Sequence, residues 1–518
     1  MQFTRSKVVA VATAIICAAA VVAAGGATTV GIASASSSRS EVTHTANAVR
    51  AVANASHHGG QYPYTVIDPG TFGGPNSYFD GPGVPLTSNG TLVGQADTST
   101  LDSDYPNCPP PPGGCPDHYI QHAFTWQDGR LTDLGALSGQ NDSAIYELNG
   151  SGVGVGSSEN GHVDPNTGTA AQVAVIFEHG QVISLGALPG GNESFAQDIN
   201  DQGQVAGFSS NGILDPYSMF KWGTETRTFV WRKGVMQDIG DLGGPDTVEQ
   251  TENERGQIAG QSYTNDTPSP YTGVPTTDPF LWENGHMIDL GTLGGDYGNT
   301  SWMNDSGEVV GFSEMAGDKA AQPFLWDGRG MIDLGTLGGA GGSANWINDD
   351  GDVAGAAQLS DGAWNGVLWT HGKTIDLPPV DGAPNAFANS LNDQDEVVGT
   401  TLDGNFNNLN AILWTGGSAY DLNTLIAPSA LHLTSAEYID DQGDIVADAV
   451  LSNGDQRMVL LVPNHAVPLP PAPTTAGTQV TTGSGNGGTT TDFAFRAARD
   501  GVEFTALHQL MANRGSSE

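Results

Sequence analysis

Met287-Ile-Asp-Leu-Gly-Thr-Leu-Gly-Gly295, Trp302-Met-Asn-Asp-Ser-Gly-Glu-Val-Val-Gly311 and Pro323-Phe-Leu-Trp326 form one module, and its pieces recur in the same order along the chain. The Asp-Leu-Gly element, or a degenerate form of it, starts at Asp133, Ser184, Asp238, Asp289, Asp333, Asp376 and Asp421, with an outlying copy at Asp68-Pro-Gly70. Successive spacings from Asp133 are 51, 54, 51, 44, 43 and 45 residues. One unit of this size cannot bury its own apolar face and must stack on its neighbours, so the period points to a solenoid, propeller or array.

Each unit reads as four short strands. The first ends before Asn-Asp, as at Ile199-Asn200-Asp201 or Ile347-Asn348-Asp349; the second carries Val-x-Gly, as at Gln204-Val-Ala-Gly207. The third ends in an aromatic residue and the fourth is the Met-Ile-Asp-Leu-Gly strand. Asn-Asp-x-Gly between two β-rich runs is a hairpin turn, because Gly accepts the left-handed backbone there. Four antiparallel strands per unit is a propeller blade. The third-strand aromatics are Trp126, Phe177, Trp231, Trp282, Trp326, Trp369 and Trp414, and such regularity suits a repeated inter-blade core better than a sugar-binding set. The expected fold is therefore all-β, a β-propeller of eight four-stranded blades over residues 63–464, with seven as the alternative. Tyr64-Thr-Val-Ile-Asp68 has no partner in its own unit and is expected to complete the last blade.

His122-Ala-Phe124 followed by Thr-Trp126, the Asp-Leu-Gly-x-Leu-Gly-Gly element and the Asn-Asp-x-Gly-x-Val-x-Gly hairpin together resemble the HAF-type extracellular repeat. The resemblance covers about three quarters of the chain. Leu148-Asn-Gly150, Asp376-Leu-Pro378 and Asp421-Leu-Asn423 depart from the pattern. It implies an extracellular setting and a propeller-like architecture, and brings no catalytic residues. Kelch repeats share the paired glycines but match the motif order less well.

Outside the repeats, residues 1–35 read as a signal peptide, with Arg5 and Lys7, an apolar run from Val8 to Ala24, and Ala33-Ser34-Ala35 as the cleavage site. The expected location is extracellular, without membrane insertion after cleavage; an uncleaved N-terminal anchor is the alternative. Residues 36–62 form a linker, 465–490 a Pro/Thr/Gly-rich linker, and 491–518 a short tail with a helical pattern interrupted by Gly501; both extensions are expected to be disordered. Cys108 and Cys115 are expected to form a disulfide across a short Pro/Gly loop, worth roughly 2–3 kcal/mol. With 57 acidic and 17 basic residues the formal charge is −40, and loss of Arg5 and Lys7 with the signal peptide takes it to −42. That field disfavours nucleic acid and anionic membranes and favours basic partners, and it suits solubility or an acidic milieu.

The sequence carries no nucleophile elbow, no His-Glu-x-x-His helix and no sialidase-type Asp box. No catalytic residue and no cofactor are expected; calcium at the turns around Asn348, Asp350, Asp352 and Asp440–Asp444 is the alternative. Strand parity places the Asn-Asp-x-Gly turns on one face. The loops between second and third strands (residues 95–121, 157–172, 208–227, 262–278, 313–322, 356–365 and 400–410) then lie on the opposite face. They vary most, and variable loops on a rigid scaffold are where binding resides. Tyr217, Phe220, Trp222, Tyr263 and Tyr271 are the candidate ligand-binding residues. The leading functional expectation is a secreted, non-catalytic propeller that binds a partner protein or glycan on this face. The alternative is an extracellular hydrolase or lyase with an acidic site at the propeller mouth.

Overall fold

The computed structural model describes residues 62–471, apart from residues 80, 82, 103–118, 167–169, 318, 319 and 381. The expected signal peptide, most of the two expected linkers, the C-terminal tail, and Cys108 and Cys115 with their expected disulfide lie outside the described residues.

Six four-stranded sheets and one eight-stranded sheet made of two such units give eight blades. A typical blade runs Gly294–Met303, Val309–Met315, Ala321–Trp326 and Met331–Asp333, all antiparallel. Ser194–Ile199 is wholly buried and His286–Asp289 largely exposed, so in blades one to seven the chain runs from the axis outward. The eighth blade takes Leu431–Ile439, Ile445–Leu451 and Gln456–Pro463 from the end of the chain. Its outer strand is Tyr64–Ile67, paired antiparallel with Tyr64 opposite Pro463 and Ile67 opposite Leu460. The expected closure is therefore present, and Met458 and Leu460 pack with Leu92, Phe124 and Trp126 of the first blade to complete the ring.

Between blades the third-strand aromatics do what their spacing suggests. Trp282 packs with Phe280 and Ile258 of its own blade and with Ala206, Val230 and Ile239 of the preceding one. Trp126, Phe177, Trp282, Trp369 and Trp414 are buried. Such a ring is the main apolar contribution at most junctions; Trp231 and Trp326 are half-buried, and in the eighth blade Leu461, opposite Ile445, takes the position.

The Asn-Asp-x-Gly turns carry a second bonding system. Gly203 takes φ 75°, as the turn requires. The Asn side chain reaches across to the next blade: Nδ2 of Asn253 donates to the Asn304 carbonyl (3.1 Å), Asn304 to Asn348 (3.0 Å), Asn348 to Asn392 (3.2 Å) and Asn392 to Asp440 (3.0 Å). The following residue adds a parallel course, since the backbone N–H of Glu254 donates to the Asp305 carboxylate and that of Asp305 to the Asp349 carboxylate. One face of the ring is thus bonded to itself from blade to blade. Asn348 Oδ1 also accepts the Asp352 N–H, and Asp440 Oδ1 accepts those of Gln442 and Asp444, which is the turn role expected of these residues. Asn304→Ala removes bonds to Asn348 and Glu308 and strands a buried carbonyl. It is expected to cost about 1–3 kcal/mol, read as a lower denaturant midpoint at unchanged slope.

A further device is repeated at the axis. The first strands of blades two to eight all carry a β-bulge three residues before the turn, as between Ala196 and Asp198 or between Thr300 and Trp302. Opposite it in blades two to seven stands a Gly, that of Val-x-Gly at Gly207 and Gly311, and in the eighth blade Ala447. A side chain at Gly207 would collide with the Phe195 carbonyl oxygen, and one at Gly311 with that of Asn299. The bulge and the glycine are one feature seen from two strands.

Candidate binding face

Opposite the bonded turns lie the loops between second and third strands, and they divide the ring into unequal halves. In blades one to four the second strand is long: Leu92–Leu101, Gly154–Val163, Val205–Leu214 and Ile258–Pro268. In blades five to eight it is short: Val309–Met315, Val353–Leu359, Val397–Leu402 and Ile445–Leu451. The first half therefore carries raised hairpins and the second half does not. Segments 208–227 and 262–278, expected to be free of repeat strands, in fact hold the ends of these extended strands.

The hairpins bend by a local rule. Asn160 Oδ1 accepts the His162 N–H and Asn211 Oδ1 that of Ile213, both at 2.9 Å, with Gly161 and Gly212 at positive φ. The strand then lifts away from its partner, and the ladder skips from Glu159 to Val163 and from Ser210 to Leu214. At the end of each lift an apolar residue projects into solvent: Leu101 is 64% exposed, Val163 66% and Leu214 78%. The next residue is a buried Asp in each case, and it pins the tip. Asp102 accepts from Asn141, Asp164 from the Asn166 N–H and Asp215 from the Tyr217 N–H.

Of the five aromatic candidates, Tyr217, Phe220, Trp222 and Tyr263 are brought together, mostly inward. Trp222 is 5% exposed and Tyr263 is fully buried, while Tyr217 and Phe220 are half-buried. Phe220 stacks on Phe208 at 4.4 Å and on Trp222 at 5.0 Å, and Tyr263 donates its hydroxyl to the Tyr217 carbonyl. The Met219 N–H donates to Asp246 of the next blade at 2.6 Å, holding the loop down. These rings are the loop's own core, because the first-strand Phe195 offers them an apolar floor. Tyr271 alone of the five stands in solvent.

Near the axis, on the turn side, Glu147, Asp198, Glu249 and Glu252 come from three adjacent first strands. Glu147 accepts from the Ile199 N–H and Asp198 from the Glu252 N–H. Burial, and then the neighbouring Asp198 charge, push the carboxyls of Glu147, Glu249 and Glu252 well above the usual carboxylate range. Raised carboxyls are what acid–base chemistry uses, but Glu249 is fully buried and Gly83 packs against Glu147 and Tyr146. That glycine belongs to a first-blade segment whose Val84 reaches the cluster around Trp346 in the sixth and seventh blades. The segment therefore crosses the axis and lies over Glu147. On the far side Trp302 stacks on Trp346 at 4.1 Å, with Tyr438 edge-on.

No family model matches the sequence, and no curated protein does. Among solved structures the chain is similar to an acylaminoacyl peptidase from Pyrococcus horikoshii (12% identity, TM-score 0.33, 76% of this chain and 53% of that one). It is also similar to TolB from Acinetobacter baumannii (12%, 0.27, 72% and 80%) and to Trypanosoma rangeli sialidase (10%, 0.28, 77% and 55%). The chain spans about half the length of the first of these.

Proposed function

We propose that the protein is a secreted, non-catalytic propeller that binds another extracellular protein through its variable-loop face. One observation carries this reading: of the eleven large apolar side chains exposed among the described residues, Leu101, Val163, Ile213, Leu214, Tyr271, Met315 and Leu409 all stand on these loops. The other four lie on outer strands, and none lies on the turns. Apolar groups held in water on one face of a rigid ring mark an interaction surface. A glycan, the other ligand class suggested by the sequence, would need exposed rings to stack on, and of the five candidates only Tyr271 offers one.

The test is a peptide array and a glycan array probed with the purified protein. Peptide hits are expected that disappear when the hairpin tips are shortened and persist in Asn200→Ala on the opposite face. Hits confined to the glycan array, or binding lost with Asn200→Ala at unchanged melting temperature, would overturn the reading.

A further inference from the structure

We propose that the contact core of this face is the row of hairpin tips formed by Leu101, Val163, Ile213 and Leu214, and that its partner is a cationic protein surface whose apolar side chains are flanked by Lys or Arg. The proposal rests on the loop-face reading and goes further in naming the residues and the partner's chemistry.

Three arguments support it. Leu101, Val163 and Leu214 occupy the same place in three consecutive blades, each pairing across the hairpin after the same skip in the ladder. Each is followed by a buried, hydrogen-bonded Asp, so the apolar group is held in place and little conformational entropy is lost on docking. Isolated exposed apolar residues are ordinary; the same exposure at one structural position in three adjacent hairpins is a row. The charge decides the partner. Residues 92–102, 154–166 and 205–217, which carry this row, contain no Lys or Arg, with Lys221 the one exposed cation further along the third loop; their carboxylates Asp97, Asp102, Glu159, Asp164 and Asp215 are buried, so the attraction comes from the chain's formal charge of −40. Such a field draws in a basic partner and repels an acidic one, a second copy included.

The probes are three synthetic peptides of equal length, alternating Leu–Lys, Gly–Lys and Leu–Glu, titrated into the full chain. The Leu–Lys peptide is expected to bind at least tenfold more tightly than Gly–Lys, and Leu–Glu not to bind. The combined variant Leu101→Ser, Val163→Ser, Leu214→Ser is expected to weaken Leu–Lys binding at least tenfold at unchanged melting temperature. Equal binding by variant and parent, or by Leu–Lys and Gly–Lys, would overturn the assignment of the tips. If the variant binds normally while shortening residues 313–322 abolishes binding, the loop-face reading stands and only this inference fails. Loss of binding through Asn200→Ala at unchanged melting temperature defeats both. A concentration-dependent dimer of the parent, dissociated in the variant, would make a second copy the occupant and overturn the cationic partner.

Discussion

Deleting Tyr64–Asp68 is expected to destabilise the whole ring and not merely its last blade. The strand contributes four ladder positions against Leu460–Pro463 and buries Tyr64 in the core with Leu422, Leu425 and Leu461. The deletion also removes Asp68 from Arg457, whose guanidinium bonds to the Pro75 carbonyl across the first junction. Losing one buried aromatic, two half-buried aliphatics and their ladder bonds amounts to roughly 5 kcal/mol. For a cooperative unit of about four hundred residues this lowers the melting temperature by roughly 6 °C. The exposed edge of Gln456–Pro463 should also promote aggregation. Calorimetry and light scattering on the deletion check both. A melting temperature within a degree of the parent would mean that the junction between the first and eighth blades holds without the strand.

The second large effect is with pH. Every carboxyl with a resolved shift is moved upward, chiefly by burial: Glu193 to about 8, Asp278 to about 7, Asp444 to about 6, and Asp246, Glu147, Glu249 and Glu252 well above their ordinary range. The folded state holds these protons more tightly than the unfolded chain. Their stabilising effect is therefore complete below the unfolded value near 4.5 and is lost as pH rises through the folded values toward 8. The protein is expected to melt several degrees higher at pH 5 than at pH 8. Glu249→Gln, which removes the ionisation and keeps the shape, should raise the pH 8 melting temperature and flatten the profile. A maximum at pH 8 would show that water or cations reach these groups.

The ring was legible in the sequence where a motif is forced by the backbone. The turn glycines, the strand aromatics and the unpartnered Tyr64–Asp68 each carry a chemical reason that one sequence displays. The inner bulge was not legible, because its residues (Tyr146, Gln197, Gln250, Ser301, Asn345, Asn389 and Glu437) are mostly polar but share no single residue, and the glycine opposite, its other trace, is replaced by Ala447 in the eighth blade. Asn160-Gly-His-Val-Asp-Pro165 and Asn211-Gly-Ile-Leu-Asp-Pro216 do announce the raised hairpins, as a minor repeat inside the major one. The inward packing of Tyr217, Phe220, Trp222 and Tyr263 was not legible, because loop aromatics look free until the floor beneath them, here Phe195 and Phe208, is known. The axis-crossing segment around Gly83 and Val84 has no periodicity and could be found only in three dimensions.

Closure through a terminal strand also has a mechanical side. Pro63 and Asn464 are joined by a backbone hydrogen bond, so the chain enters and leaves the ring at one point on the turn face. Tension applied between the two tails pulls that point apart and loads the Tyr64–Pro463 pair first, then Thr65–Val462, then Val66–Leu461. The bonds open in sequence like a zip instead of sharing the load in shear, so the latch yields at low force while the other seven blades remain slack.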